Sequence, residues 1–533
     1  MIKKEIVNLL SKVVPKETIL VEQTVDKKFG DYATQLAMKL AKKQKKNPME
    51  IAKTIVSKVP KIKFLEKVEI APPGFINFFL SDKWLSEQVV DIINQDKNFG
   101  SSNIGKNKKV LVEFVSANPT GPLHIGNARG GPIGDVIANV LIKTGFKVTR
   151  EFYINDVGNQ VNLFGETLLF WYLKKKGKKV KFPENGYKGD YVKEIASEIK
   201  KPEKESASYF AHIGIKKIIK QIINDCKGMG ISFDHFTYES EILKNGGTKS
   251  LILSLKKQGL TQEKEGALWF YEKGQENQLK DREYVLIRSD AEKTPTYFAN
   301  DLAYHIDKHK RGFDKAIDVL GANTYGHIQK MMVALNALGI KKEWVEIILY
   351  QFVRLKSGEK IEKMSKRLGT YVTARQVLDE VSKDVFRFMM LSKTPEAHLD
   401  FDLKLAKEQS EKNPVYYIQY AHARISSIIR RAKKINQNPK TSLLIHPAEI
   451  SLIKQLIKFP DILSDIASNY QVHRLPLYAL ETATSFHNFY EKCKVIDEKN
   501  LDLSSARLAL CSATQIILGN ILEVLGINAP SRM

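Results

Sequence analysis

The sequence predicts a multidomain α/β protein: a core on a parallel, Rossmann-type sheet with insertions, preceded by an α+β domain and followed by an all-α helical bundle. Three observations predict it. A strand, helix, strand pattern fills 110–154 and alternation returns after Thr294, the first hundred residues mix helical and strand-like periods, and beyond about 405 the pattern is almost purely helical. A chain of 533 residues, 43% of them hydrophobic, can fill several cores.

Residues 1–105 read as the α+β domain. Tyr32, Leu36, Ala37 and Leu40 recur at helical spacing, whereas Gly74-Phe75-Ile76-Asn77-Phe78-Phe79-Leu80 is an apolar strand-like run, and the polar stretch 101–109 is a linker. Val110 to Val115 is a short β-branched run. From Asn127 onward Ile133, Val136, Ile137, Val140 and Leu141 keep helical spacing until Gly145, and Val148 to Ile154 reads as the next strand. Such a unit closes by a right-handed crossover onto a parallel sheet, whose ligands lie beyond the carboxyl ends of the strands. Residues from 160 to about 290, rich in Lys and Glu, read as an insertion between the halves of the sheet. Strand and helix alternate again to about Val345, and 353–372 reads as strand, turn at Ser357-Gly358-Glu359, strand and basic loop, counted with the second half of the sheet. The core domain thus spans 106–404. Residues 405–533 carry helical segments at 415–435, 448–469, 473–494 and 504–525, with Pro-containing and Asp-rich breaks.

A formal net charge of +24 favours a polyanionic partner, although a basic proteome would raise the figure too. Cys226, Cys493 and Cys511 are scattered, without metal-ligand spacing, and suit buried thiols in a reducing cytoplasm. The amphipathic N-terminus and the lack of any run of 18 apolar residues argue against a signal peptide or membrane span. The chain is expected to act as a monomer.

The stretch Val112-Glu113-Phe114-Val115-Ser116-Ala117-Asn118-Pro119-Thr120-Gly121-Pro122-Leu123-His124-Ile125-Gly126-Asn127 joins a strand, a Pro/Gly turn and a helix opening. A nucleotide can approach Gly126 closely, His124 can donate to a phosphate oxygen, and the helix opening near Asn127 offers unpaired N–H groups. Gly126, Gly130, Gly131 and Gly134 do not keep dinucleotide-fingerprint spacing, which excludes that reading. Far downstream, Lys363-Met364-Ser365-Lys366 supplies mobile ammonium groups that can neutralise a departing pyrophosphate. No dedicated metal cage is present in the sequence, so Mg²⁺ would arrive with the nucleotide's phosphates.

Together these two motifs resemble the signatures of class I aminoacyl-tRNA synthetases, and their surroundings resemble the arginyl-tRNA synthetase family. The resemblance implies that His124, Asn127, Lys363 and Lys366 are catalytic, and that Gly126, Met364 and Ser365 touch ATP. The family usually has a second histidine where this chain has Asn127, which keeps a neutral donor and acceptor but cannot become a cation. Gly321-Ala322-Asn323-Thr324-Tyr325-Gly326-His327 matches, more loosely, the family's loop near the adenosine ribose, adding Gly321, Asn323 and His327 to the ATP contacts.

A guanidinium is best held by paired acidic partners. Glu113 interrupts an apolar strand and on its own would read as an edge-strand charge. The resemblance implies instead that Glu113, Asn118, Tyr297 and Asp301 contact arginine; Tyr297 and Asp301, four apart, share a face if their segment is helical. The aromatic and basic residues of 413–424 suit stacking on unpaired bases and resemble the start of the family's anticodon-binding domain. Tyr420, Tyr490 and the terminal Met533 are the expected tRNA contacts. Gly30-Asp31-Tyr32-Ala33-Thr34 and Pro72-Pro73-Gly74-Phe75-Ile76-Asn77 resemble the family's N-terminal domain, which touches the tRNA elbow. The implied activity is ATP-dependent arginylation of tRNA(Arg), with adenylate formation requiring bound tRNA. A cysteinyl relative would call for a zinc-type Cys/His set that three scattered cysteines do not supply. A catalytically silent tRNA-binding paralogue is supported by Asn127 alone.

Overall fold

The computed structural model describes residues 1–24, 26–200, 202–271, 284–357, 360–361, 372–432 and 439–533, with the backbone alone for Tyr325, His327, Ser357, Lys360 and Ile361. Lys363, Met364, Ser365 and Lys366 lie outside the described residues.

Five parallel strands make the central sheet: β1 (Lys109–Phe114), β2 (Lys147–Ile154), β3 (His235–Tyr238), β4 (Lys315–Gly321) and β5 (Val345–Tyr350), in the order β5-β4-β1-β2-β3. β1 is therefore central and buried, as its apolar run requires. Glu113 accordingly occupies no sheet edge. Helix Gly130–Lys143 crosses from β1 to β2 and ends at Thr144, where Gly145 takes φ 91. Its glycines let it press on the sheet: a Cβ on Gly134 would come within 2.2 Å of Phe114, and one on Gly130 within 2.8 Å of Tyr350. These glycines therefore serve helix-to-sheet approach.

The N-terminal unit is a four-stranded antiparallel sheet packed with helices. Tyr32, expected in a helix, lies instead in the short strand Tyr32–Thr34, and the helix starts at Leu36. The unit rests on the C-terminal bundle, where Tyr32 donates to Asp461 at 3.2 Å and Lys454 pairs with Asp31 at 2.8 Å.

The hairpin strand Val353–Ser357 does not extend the parallel sheet, as the sequence suggested. It forms a separate three-stranded sheet with Lys360–Ile361 and Leu399–Asp402. The chain leaves β5 because buried Arg129 gathers the carbonyls of Gln351, Thr394, Pro395 and Ala397 at 2.7–3.2 Å.

The bundle comprises Pro414–Arg431, Pro447–Leu456, Phe459–Asn469, Arg474–Lys492 and Leu501–Leu525. The single helix expected over 448–469 is two, because Pro460 lacks the N–H that would continue the first. Leu501–Leu525 is long and apolar enough to cross a membrane, but 72% of its most apolar window is buried as the bundle's core helix. It is locked to the catalytic domain. Buried Arg387 donates to the carbonyls of Leu525 (2.7 Å) and Met229 (3.1 Å) and to Asp135 (2.6 Å) of helix 130–143.

Candidate active site

β1 ends in a strained turn. Val115 and Ser116 adopt φ 68 and 37, a region that non-glycine residues, and β-branched valine above all, rarely occupy, at a cost of about 1–3 kcal/mol each. The turn brings the Ser116 hydroxyl to Glu113 at 2.8 Å, where it also accepts the Tyr153 N–H at 3.1 Å. The chain then runs through Asn118 to His124, which caps the short helix Ile125–Ala128 by accepting the Asn127 N–H on Nδ1 at 3.2 Å. A Cβ on Gly126 would stand 2.9 Å from His124 Cε1, so a glycine is needed beside the ring. Tyr350 Oη donates to the Asn127 carbonyl at 3.3 Å.

The signature turn is paired with the chain that follows the second motif. Ile125 N–H donates to the Val372 carbonyl at 3.0 Å and Ala374 N–H to that of Leu123 at 2.7 Å. Asn118 and Asn127 line a cavity of about 650 Å³ bounded by Thr120, Gln160, Tyr187 and Tyr191. Asn118 donates to Gln160 at 3.1 Å, and Tyr191 donates to the Thr120 carbonyl at 2.7 Å. Gly321 and the exposed Asn323 close the carboxyl end of β4, where a Cβ on Gly321 would meet Asn323 Oδ1 at 2.7 Å. His327 lies in helix Tyr325–Ala337, and its side chain is not described.

Tyr297 and Asp301 stand one turn apart on helix Tyr297–Lys310. The Tyr297 hydroxyl takes a hydrogen bond from the Gln160 backbone and lies 3.0 Å from where a Gly158 Cβ would be. Glu113 is buried against Lys308 Nζ at 2.6 Å, and the same ammonium reaches Asp318 at 2.8 Å. Burial raises the Glu113 pKa, with Asp318 adding to the effect and Lys308 opposing it.

A further carboxylate faces Asp301. Glu239, 2% exposed, accepts Asn300 Nδ2 at 2.6 Å and hydrogen-bonds the Tyr153 hydroxyl. Burial pushes its pKa up to about 7, with the charges of Asp156 and Asp301 adding to the rise against those two hydrogen bonds. A bound cation would relieve it.

In the bundle, Arg424 connects two of the expected RNA contacts. It donates to Tyr420 Oη at 2.7 Å and stands 4.4 Å over the Tyr490 ring. Met533 is 55% exposed, beyond a tail fastened to the same helix by Arg430 to the Ser531 carbonyl at 3.0 Å.

Three family models cover the chain: arginyl tRNA synthetase N terminal domain over 1–80, class I (R) tRNA synthetase catalytic domain over 88–429 and DALR anticodon binding domain over 418–533. The chain belongs to the arginyl-tRNA synthetase family. The family's arginine–tRNA ligase from Citrifermentans bemidjiense is 42% identical over 97% of this chain and 95% of its own, and that from Shouchella clausii 40% identical over 97% and 94%. The Thermus thermophilus arginyl-tRNA synthetase shares the fold at 21% identity and TM-score 0.79, covering 100% of both chains.

Several residues that the fold gathers around the candidate site were not singled out by the sequence. Gly158, at φ 93, was readable as a turn signal. Glu239, Asp318, His305 and Lys308 carry no motif; their only sequence signal is charge at positions that the helical and strand periods turn inward.

Proposed function

We propose that this chain is an arginine–tRNA ligase. The arginine carboxylate attacks the α-phosphorus of ATP, giving arginyl-adenylate and pyrophosphate. The 2′-hydroxyl of the tRNA's terminal adenosine then attacks the activated carbonyl and AMP leaves. The protein positions reactants and neutralises charge without a nucleophilic side chain. His124, Asn127, Lys363 and Lys366 act on the phosphates; Gly126, Gly321, Asn323, His327, Met364 and Ser365 hold ATP, which brings its own Mg²⁺. No group of acidic, His or Cys residues that could hold a metal occurs among the described residues. Glu113, Asn118, Tyr297 and Asp301 serve arginine, and Tyr420, Tyr490 and Met533 serve the tRNA. The working units divide at about 105 and 404, and the enzyme acts as a cytoplasmic monomer.

The observation that carries the amino-acid assignment is the acidic wall formed by Glu239 and Asp301, in which the buried Glu239 is hydrogen-bonded to Asn300 and Tyr153, both uncharged. A guanidinium supplies the missing charge and a planar set of donors. Charging of total tRNA with radiolabelled amino acids, one at a time, tests the reading, with pyrophosphate exchange run with and without tRNA. Incorporation of arginine alone, and exchange only with tRNA, is expected. Tight tRNA binding without charging would instead favour the silent paralogue and direct attention to Asn127.

A further inference from the structure

The central sheet carries a row of carboxylates. Asp318 on β4, Glu113 on β1 and Glu151 on β2 are register partners across three adjacent strands, and all are buried. Like charges opposite one another on neighbouring strands repel. Helix Tyr297–Lys310 lays over the row a stripe of Asp301, Tyr304, His305 and Lys308, which helical spacing puts on one face. Lys308, 0% exposed, bridges Glu113 and Asp318 and stands 4.2 Å over the Tyr304 ring. Tyr304 donates to Glu151 at 2.7 Å and stacks on Tyr153, the partner of Glu239, with ring centroids 4.3 Å apart. His305 completes the line: Nε2 is 2.8 Å from Asp318 Oδ2, and Nδ1 is 2.8 Å from the Asp301 carbonyl and 3.4 Å from its carboxylate. Both ring nitrogens face acceptors, so the ring donates twice, as an imidazolium.

The result is a ladder of alternating sign, Glu113⁻, Lys308⁺, Asp318⁻, His305⁺, Asp301⁻. Its two ends are carboxylates assigned above to the arginine site. Buried ion pairs are poor stabilisers, because desolvation cancels most of the attraction and apolar replacements are often neutral or better. Stability is thus a weak reason for placing five such groups here.

We propose that His305 and Lys308 are positioning residues of the amino-acid site, holding Asp301 and Glu113 in register through Asp318. The inference rests on the arginine–tRNA ligase reading. His305 hydrogen-bonds the Asp301 backbone carbonyl and stands 3.4 Å from its carboxylate, a contact that restrains the acceptor the guanidinium would meet. Neither cation needs to touch a substrate.

The test is tRNA-supported pyrophosphate exchange by the full chain, with the KM for arginine and for ATP measured separately, alongside tRNA affinity and selectivity for arginine over lysine. His305→Gln and Lys308→Met are expected to raise the KM for arginine at least tenfold and to lower that selectivity, while the KM for ATP and tRNA affinity stay within twofold. Lys308→Arg, which keeps the charge, should hold the arginine KM within about threefold. If Lys308→Met does not fold, the charge-balanced Lys308→Met/Asp318→Asn protein takes its place with the same expectation. An unchanged arginine KM in His305→Gln, or equal losses for arginine and ATP, overturns the inference while leaving the ligase reading intact. A wild-type chain that shows no arginine-dependent exchange overturns both.

Discussion

The Ala374 N–H donates to the Leu123 carbonyl at 2.7 Å, joining two parts of the chain that are far apart in sequence. Leu123 immediately precedes the signature histidine, and Ala374 opens the helix that follows the second motif. The chain that follows the second motif is thus fastened beside the signature turn.

The second motif carries the first prediction. Lys366→Ala should slow adenylate formation at least tenfold while tRNA affinity stays within twofold, if its charge acts chiefly on pyrophosphate as it departs, as proposed above. Single-turnover adenylate formation and filter binding of tRNA measure the two quantities. Equal activity in variant and wild type would remove Lys366 from the mechanism.

A subtler change tests the histidine. In Gly126→Ala the added methyl would stand 2.9 Å from His124 Cε1 and 3.0 Å from Nδ1, closer than unstrained contacts allow. The ring must turn out of its cap, and kcat for exchange should fall at least tenfold. The close contacts of the new methyl are with that side-chain ring, so the melting temperature should move little. A fall in stability that matched the loss of activity would show that the damage is general.

The acidic wall predicts a pH dependence. With a pKa of about 7, Glu239 is half neutral at pH 7 and cannot pair with a guanidinium below it, so the KM for arginine should fall as pH rises from 6 to 8. Glu239→Gln should raise that KM at least tenfold and flatten its pH dependence, with little change in the KM for ATP. The stability effect has the opposite sign. A carboxyl whose folded pKa lies above its unfolded value of 4.5 weakens the free protein progressively as pH rises from about 4.5 to 7. Glu239→Gln should therefore raise the melting temperature at pH 8 more than at pH 5, as differential scanning calorimetry without arginine would record. Asp301→Asn should likewise impair arginine use far more than ATP use.

How much of this was legible beforehand follows from the range of each interaction. Local periodicity exposed the β1, helix and β2 unit, because the burial of Val110 to Phe114 and of helix 130–143 is written in adjacent residues. The same reasoning failed at Val353, whose run looks like any other strand; its partners lie in Leu399–Asp402, and Arg129 decides where the chain turns. In the site, the Pro/Gly frame announced His124. Glu113 was visible as a charge in an apolar strand, but its partners Lys308 and Asp318 are supplied by the fold, distant in sequence and indistinguishable there from solvated charges. Glu239 was hidden for the same reason.

The bundle offers a prediction about RNA. Tyr420 is 38% exposed, its hydroxyl is bonded to Arg424, and its ring is stacked on His487 with 18° between the planes and 6.1 Å between centroids. A ring backed by a second ring on one side and exposed to solvent suits an unpaired base, and losing such a platform costs about 1–3 kcal/mol. Tyr420→Ala should therefore raise the KM for tRNA roughly ten- to hundredfold without changing that for arginine or ATP. Tyr420→Phe keeps the stack and loses only the hydroxyl that Arg424 holds, so its tRNA affinity should stay within about threefold. Nitrocellulose binding at several salt concentrations separates the contributions. The salt slope should be the same for all three proteins, since no phosphate contact is removed. A slope that falls in Tyr420→Ala would mean that the tyrosine acts by positioning Arg424 on a phosphate.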